Sequence, residues 1–278
     1  MLAWVPASAA QGSPGPGPPL EALAASFPAA AGSDPGAVRV GLWLGRTVTP
    51  ADVGALRARV RLVGDGGAVD AFTVDAAVDA AELEGRGRLQ VYGDLAAPPG
   101  RYRLDLELAL GDVVSRATYP FDVHAPAADR PSVLPPFFLD DEGLVSAFYE
   151  GSPGSAAKEP PEDYPFRAIG EAFVPDISPR ITSGMPRSRV CLIGRRLSDE
   201  KTFLETGLVA ADGTLLSKER LAVIGRDDAD TDGGEALCLG LDTQGLDFGS
   251  YQLSVVLHDF ESRGSESTEL SFEIVPAP

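Results

Sequence analysis

The residues whose types and spacing best fit a ligand site form an acidic segment late in the chain. Its carboxylates are Asp228, Asp230, Asp232 and Glu235. Three carboxylates at alternate positions before a turn-forming glycine, here Gly233, are typical of the first half of a calcium-binding loop. The bidentate acid expected at the twelfth position is absent, because Leu239 stands there in a predicted strand. The segment is therefore interpreted either as a calcium site or as a solvated acidic hairpin tip.

Only two histidines are available for acid–base chemistry, His124 and His258. Each stands at or near the end of a predicted strand, and neither neighbours a Ser or Cys in a nucleophile motif. No Gly-x-Ser-x-Gly elbow is present. A hydrolase with a dispersed active site stays an alternative because triads are assembled in space, but no residue favours it. We predict that the chain is not an enzyme.

The two cysteines, Cys191 and Cys238, are too few for a disulfide scaffold and lack the paired spacing of a zinc site. Both fall out of phase with the core-facing residues of their predicted strands. If those strands are neighbours, the thiols face each other and form a disulfide in an oxidising compartment. Two unpaired, half-buried thiols are the alternative.

The charge balance limits the partners of the chain. The sequence has 41 acidic against 23 basic side chains, a formal net charge of −18, which repels phosphate backbones and anionic lipid headgroups. No apolar run approaches the roughly 20 residues of a membrane-spanning helix, so we predict no membrane insertion. A sugar partner needs exposed aromatic rings, and Trp43 points off the core phase of its strand, so a glycan stays an alternative partner.

The first 35 residues are rich in Pro, Gly and Ala and predict a disordered tail, with at most a helical turn over residues 20–27. Residues 7–9, Ala-Ser-Ala, have the small-x-small form that signal peptidase accepts, although the apolar stretch before them is short and lacks Lys and Arg. The start is interpreted as the remnant of a secretory signal or as an Ala-rich linker from a longer chain. We favour a secreted or periplasmic protein.

The elements that must position these residues are predicted to be short strands. Alternating apolar and polar residues mark strands at 38–44, 56–63, 68–74, 88–92, 101–110 and 117–123, and again at 189–193, 206–210, 220–224, 236–241, 250–258 and 269–275. Turns rich in Gly, Pro and Asp separate most of them, and no long amphipathic helix intervenes. The pattern predicts an all-β chain of two tandem Ig-like or fibronectin-like β-sandwiches, over residues 36–126 and 164–278. Residues 127–163 are predicted to be a Pro-rich linker, ordered in part by docking of its aromatic residues.

The two halves of the chain also match each other. The matched pieces, in the same order in both halves, are 61–66 with 207–213, 88–91 with 236–239, 100–108 with 249–257, and 119–123 with 270–274. Recurrence at roughly 150 residues indicates a duplicated domain rather than a solenoid repeat.

Tyr102 and Tyr251 occupy the same place in the two halves, two residues after a glycine. In Greek-key sandwiches, a tyrosine near the start of the sixth strand bonds to backbone a few residues upstream and fixes the crossover between the sheets. We predict that both are structural tyrosine corners. Ordinary half-buried strand tyrosines are the alternative.

Five stretches of the second half carry a family resemblance: Pro165-Phe166, Phe173-Val174-Pro175, Val190-Cys191-Leu192, Ala211-Asp212-Gly213 and Leu246-Asp247-Phe248-Gly249-Ser250-Tyr251. In these residues the chain, over about 130–278, resembles the C-terminal region of bacterial proteins that carry a von Willebrand factor A-like domain of the acidobacterial type. The resemblance implies a non-catalytic β module of an exported protein. The metal-binding Asp-x-Ser-x-Ser of the A-like domain itself is absent, since the nearest string, residues 176–180, ends in Arg180.

Taken together, these patterns predict a non-catalytic structural or protein-interaction module of an exported bacterial protein, with an unnamed protein partner. The alternative is a carbohydrate- or calcium-binding adhesion module. No cofactor other than calcium is predicted.

A calcium titration separates the two interpretations of the acidic segment. Calcium chloride added to chelator-treated protein in a calorimeter should give saturable heat if Asp228, Asp230 and Asp232 hold the ion. The absence of heat at millimolar calcium would leave the solvated hairpin tip.

Overall fold

The structure, a computed structural model, describes residues 18–27, 36–125, 131–134, 136–140, 143, 145–151, 156–168, 171–177, 180–182, 188–195, 197, 201–216, 221–228 and 234–276. These residues form an all-β structure, with several sheets and one four-residue helix. The predicted all-β class is therefore confirmed. In the described part of the chain, no helix has the length and apolarity needed to cross a membrane.

The strands follow the chain in this order. The first seven and the helix are β1 Glu21–Phe27, β2 Val38–Thr47, β3 Gly54–Gly64, β4 Gly67–Val78, α1 Ala80–Leu83, β5 Arg88–Ala97, β6 Gly100–Leu110 and β7 Val113–Val123. Then come β8 Ser132–Val133, β9 Phe137–Leu139, β10 Val145–Tyr149, β11 Arg167–Ala168, β12 Glu171–Ala172, β13 Pro175–Asp176 and β14 Arg180–Thr182. The last are β15 Ser188–Arg195, β16 Thr202–Ala210, β17 Leu215–Leu216, β18 Leu221–Asp228, β19 Gly234–Leu241, β20 Gly249–Asp259 and β21 Gly264–Val275.

The chain divides into two compact units. The first contains the described residues within Val5–Pro126 and Glu142–Pro165, and the second contains those within Ala127–Asp141 and Phe166–Pro278. Each unit has its own hydrophobic core.

The first unit consists of two four-stranded sheets, ordered β1-β2-β5-β10 and β4-β3-β6-β7. All neighbours are antiparallel except β10, which runs parallel to β5. Strict alternation of buried and exposed residues along β3 sends one set of side chains inward, as a sheet with one solvated face requires. Leu42 and Leu89 of one sheet and Leu62 and Leu106 of the other belong to a single buried cluster, so the core lies between the sheets.

The predicted tail is wrong for residues 21–27, which form β1 rather than a disordered or helical segment. All seven residues pair with β2, in a register from Glu21 opposite Gly45 to Phe27 opposite Arg39. Ala22 and Ala24 lie in the core of the unit. Alanine favours helices in isolation, but pairing along an open sheet edge satisfies the backbone and buries the segment, which outweighs that preference. Residues 1–17 and 28–35 of the predicted tail lie outside the described residues.

The predicted linker, residues 127–163, contributes three strands to the sheets: β8 and β9 in the second unit and β10 in the first. Phe148 is fully buried in the core of the first unit and Phe138 in that of the second. The segment is thus held by strand pairing as well as by aromatic contacts. An extended chain beside a sheet edge pairs its backbone groups at no cost in unsatisfied polar atoms.

The second unit contains two larger sheets around one core. One runs β13-β9-β15-β19-β18, with β8 also paired to β15, and the other runs β14-β21-β20-β16-β17. β11 and β12 form a separate two-stranded sheet. Leu192 and Leu239 of the first sheet and Leu208 and Leu253 of the second lie in the same buried cluster.

The matched pieces of sequence lie on strands that pair in the same way in the two units. β3, β6 and β7 are consecutive neighbours in the first unit, as β16, β20 and β21 are in the second, and β2–β5 pairing corresponds to β15–β19 pairing. The next positions differ, because β10 runs parallel to β5 whereas β18 runs antiparallel to β19.

Close packing at Gly93 gives a test of the first core. A β-carbon at this position would lie 2.6 Å from a ring atom of Phe72, so Gly93→Ala forces the buried ring to move. We expect the free energy of unfolding to fall by about 1–3 kcal/mol, as overpacked cores do. Urea unfolding followed by Trp43 fluorescence measures it. Gly87→Ala, where a β-carbon meets nothing within 4 Å, is the control; equal stability of the two variants would refute the close approach.

Candidate functional site

Seven large apolar side chains of the described residues are exposed, and they lie in both units. They are Val53, Val69 and Val113 in the first unit and Phe203, Leu215, Phe248 and Phe260 in the second, so every aromatic among them belongs to the second unit. Phe203 and Leu215, exposed by 54% and 61%, lie on the outward face of the sheet that contains β16, β17 and β20. We call Phe203, Leu215 and His258 the apolar face.

Strand alternation places these residues outward. Leu204 and Leu208 of β16 pack on the core, so Phe203 points the other way. On β17, Leu216 packs on the core and Leu215 is exposed. The sequence pattern that fills the core therefore also projects the apolar face to solvent.

Phe203 and His258 are directly paired across β16 and β20, and their rings stack with centroids 6.1 Å apart and planes 29° apart. His258 Nε2 lies 3.4 Å from Glu205 Oε2. Farther along β16, a β-carbon built at Gly207 would lie 3.3 Å from Leu215 Cδ1, so the absence of a side chain at Gly207 makes room for the leucine. Along this face lie a ring at Phe203, a carboxylate at Glu205 and, farther along, an aliphatic side chain at Leu215.

Phe260 extends this surface at one end. It lies in the turn after β20, is 66% exposed, and its backbone N–H donates to Lys201 O, just before β16. The turn is therefore fixed beside the strand that carries Phe203.

The interpretation of Trp43 as an exposed ring for sugar binding is wrong, because Trp43 is fully buried. Its side chain does leave the core phase of β2, but Tyr92, Tyr149 and Tyr164 surround it with ring centroids 5.2, 5.5 and 6.0 Å away. Burial raises the pKa of the Tyr92 and Tyr164 hydroxyls well above the ordinary value. Part of the cover comes from Tyr149, the last residue of β10, and from Tyr164 beyond it, and these tyrosines were the sequence signal that could have revealed it.

An ion-paired network holds this cover in place. Arg39 Nη2 lies 2.5 Å from Asp94 Oδ2, and Arg39 Nη1 donates to Asp163 O at 2.6 Å, next to Tyr164. Tyr92 Oη donates to Asp94 Oδ1 at 2.6 Å. At the edge of the network, partial burial raises the pKa of Glu150. These ion pairs and hydrogen bonds hold the buried aromatic cluster in place.

Cys191 and Cys238 are directly paired on β15 and β19 and are joined by a disulfide, with their Cα atoms 4.2 Å apart. Neither belongs to the core between the sheets. Cys191 is nevertheless fully buried. Phe137, its partner on β9, is also buried and packs edge-on against Phe166. The disulfide thus lies on a second covered sheet face.

Tyr102 and Tyr251 make the same hydrogen bond in the two units. Tyr102 Oη donates to Pro98 O, and Tyr251 Oη donates to Asp247 O, each at 2.8 Å and each to a carbonyl four residues earlier. The bonds brace the turns before β6 and β20.

The acidic segment is only partly described. Asp228 ends β18 and is paired in register with Glu235 of β19, whereas Asp230 and Asp232 lie outside the described residues. Over the residues that the structure describes, no group of three or more His, Cys, Asp or Glu side chains is arranged to hold a metal ion. The calcium interpretation therefore stays a prediction from the sequence. His124 and His258, for their part, belong to different units.

Comparisons with known proteins give no family. No family model matches the chain, and no curated protein matches it. Among solved structures, the chain is similar to a family 123 glycoside hydrolase from Clostridium perfringens, studied for glycolipid glycan hydrolysis, with 12% identity and a TM-score of 0.27. The match covers 36% of this chain and 22% of that chain. A likeness of this size carries no argument about activity.

The disulfide gives a direct chemical test. Protein unfolded in guanidinium without reductant should take up no alkylating label, and two labels should be added after reduction. Unfolding removes the burial that could otherwise hide a free thiol. Cys191→Ala/Cys238→Ala should lower the free energy of unfolding by about 2–4 kcal/mol, because the bond restricts the unfolded chain. Two labels without reductant would contradict the bond.

Proposed function

We propose that this chain is a non-catalytic protein-interaction module of an exported bacterial protein, made of two tandem Ig-like or fibronectin-like β-sandwiches. The observation that carries the proposal is the apolar face, in which Phe203 stacks on His258 and remains 54% exposed, with Leu215 exposed farther along the same face of the sheet. Phenylalanine is among the residues enriched in the buried cores of protein interfaces.

The energy of the apolar face favours a partner. Full burial of a side chain such as Phe203 is worth about 1.5–3 kcal/mol, and aromatic anchors carry much of the affinity of protein interfaces. Because His258 holds the ring by stacking, little side-chain freedom is lost on binding. The apolar face is thus prepared for a complementary surface.

Two observations support the remaining parts of the proposal. The disulfide between Cys191 and Cys238 is typical of oxidising, extracytoplasmic compartments, which agrees with the resemblance to exported proteins. The shared pairing of β3-β6-β7 and β16-β20-β21 favours two copies of one sandwich topology. The matched hydrogen bonds of Tyr102 and Tyr251 favour it too.

A carbohydrate-binding module is the second candidate. It is favoured by one observation, the exposed Phe203 ring with Glu205 nearby on the same strand. An aromatic ring packs on a sugar face, and a carboxylate accepts from its hydroxyls.

Site-specific photo-cross-linking tests the first candidate. Benzoylphenylalanine in place of Phe203 should give a discrete protein adduct in the native host, and the same group in place of Glu84, exposed in the turn after α1 of the first unit, should not. Excess unmodified protein should compete the adduct away. Excess Phe203→Ser/Leu215→Ser should not, and this variant should fold normally because both side chains are exposed.

Identical adducts from positions 203 and 84, or none from either, would refute a protein-binding apolar face. A glycan array then addresses the second candidate, which requires binding that Phe203→Ala abolishes.

A further inference from the structure

A second surface, on the first unit, differs from the rest of the chain in charge. The outward positions of β4, β3, β6 and β7 carry six arginines and four carboxylates: Arg57, Arg59, Arg61, Arg101, Arg103, Arg116, Asp75, Asp105, Glu107 and Asp122. This surface, which we call the arginine face, is therefore positive in a chain whose net charge is −18.

Four of these arginines lie around two carboxylates, three as cross-strand partners and one, Arg103, on the same strand as its carboxylate. Glu107 of β6 lies between β3 and β7, with Arg59 Nη1 at 3.9 Å and Arg116 Nε at 2.7 Å from its oxygens. We call these three residues the first triad.

The second triad, centred on Asp105, has one arginine from β3, Arg61, and one from β6 itself, Arg103, two residues before the carboxylate. Arg61 Nη2 lies 3.6 Å from Asp105 Oδ2, and Arg103 Nε donates to Asp105 Oδ1 at 2.9 Å. The hydrogen bond from Arg103 lowers the pKa of the Asp105 carboxyl, which keeps the triad ionised.

The short carboxylates lie low in both triads and the guanidiniums lie above them. The side chains of Asp105 and Glu107 are 20% and 25% exposed, whereas the four arginines are 55–64% exposed. Two guanidiniums bring ten N–H donors and one carboxylate about four acceptor sites, so each triad retains donors and one positive charge. In each triad the carboxylate thus holds two guanidiniums in place, and these guanidiniums can bind a further anion.

The spacing of the triads suits a particular ligand shape. Asp105 and Glu107 are two residues apart on β6, so the triads repeat at about 6.8 Å along the strand. An extended peptide repeats its same-side side chains at that distance. Carboxylates at alternate positions of such a peptide meet one triad each, and the guanidinium fork binds a carboxylate in bidentate fashion.

We propose that the arginine face binds an extended segment of a partner protein with Asp or Glu at alternate positions, each carboxylate bridging the two arginines of one triad. The inference rests on the proposed function in assigning a protein partner, but it uses a surface of the other unit. The overall charge of −18 disfavours a long polyanion such as nucleic acid, whose many distant charges are repelled, more than a short peptide.

Fluorescence anisotropy with labelled twelve-residue peptides tests the proposal at low salt. A peptide of alternating Glu and Thr should bind the full chain saturably and at least five times more tightly than one of the same composition with adjacent Glu pairs. Arg59→Gln/Arg61→Gln, one arginine from each triad, should weaken binding at least tenfold. Arg59→Lys/Arg61→Lys should bind less tightly than the wild type, because lysine keeps the charge and loses the fork.

The matched control is Arg101→Gln/Arg180→Gln, which changes the net charge by the same amount and leaves both triads intact. It should change the affinity by less than twofold. Equal thermal midpoints establish that the variants are folded. Arg101 belongs to the arginine face but to neither triad. Arg180 is paired with Glu273 in the second unit.

Four outcomes would overturn the proposal: no saturable binding at millimolar peptide, equal affinity for the two peptides, tighter binding of polyglucuronate than of peptide, or self-association that Arg59→Gln/Arg61→Gln abolishes. The last two assign a polysaccharide or a second copy of the chain instead. Cross-linking from position 203 is measured on the other unit. Loss of peptide binding with an intact cross-link therefore refutes only the proposal that the arginine face binds an acidic peptide.

Discussion

Alternation of side chains along each strand gives every sheet two faces, and only one face of each large sheet can be filled by the shared core. What lies on the second face then decides the character of each sheet. Over Trp43 the second face is closed by tyrosines and an Arg39 network, and over Cys191 it is also covered. The second face of the sheet that contains β16 is exposed and apolar. The second face of the sheet that contains β3 is exposed and charged.

These two open faces differ in the physics of binding. In the proposed complex, the apolar face contributes by removing ring and aliphatic surface from water, which does not depend on the screening of charges. In the proposed peptide complex, the arginine face acts through charge-assisted hydrogen bonds, which are directional and are screened as ionic strength rises. A protein with both surfaces can bind a partner through apolar contacts on one unit and through charge-assisted hydrogen bonds on the other.

The period-two pattern of the sequence was strong enough to predict most of the long strands, including β3, β6, β20 and β21. It failed at β1, because Ala-rich residues 21–27 show no contrast between their two faces, and at β10, because proline-rich neighbours suggested a linker. In both places pairing with an existing sheet edge decides the structure. Such pairing depends on residues distant in sequence, so no local pattern reports it.

The sequence by itself determined the all-β class, the matched order of pieces in the two halves and the phase in which Trp43 and Cys191 leave the core. Only the tertiary structure decided that Trp43 is covered and Phe203 is exposed, although both point away from a core. Phase depends on backbone geometry within one strand, which a short stretch of sequence records. Coverage depends on where a distant segment, such as the one with Tyr164, packs, and that is a property of the folded chain.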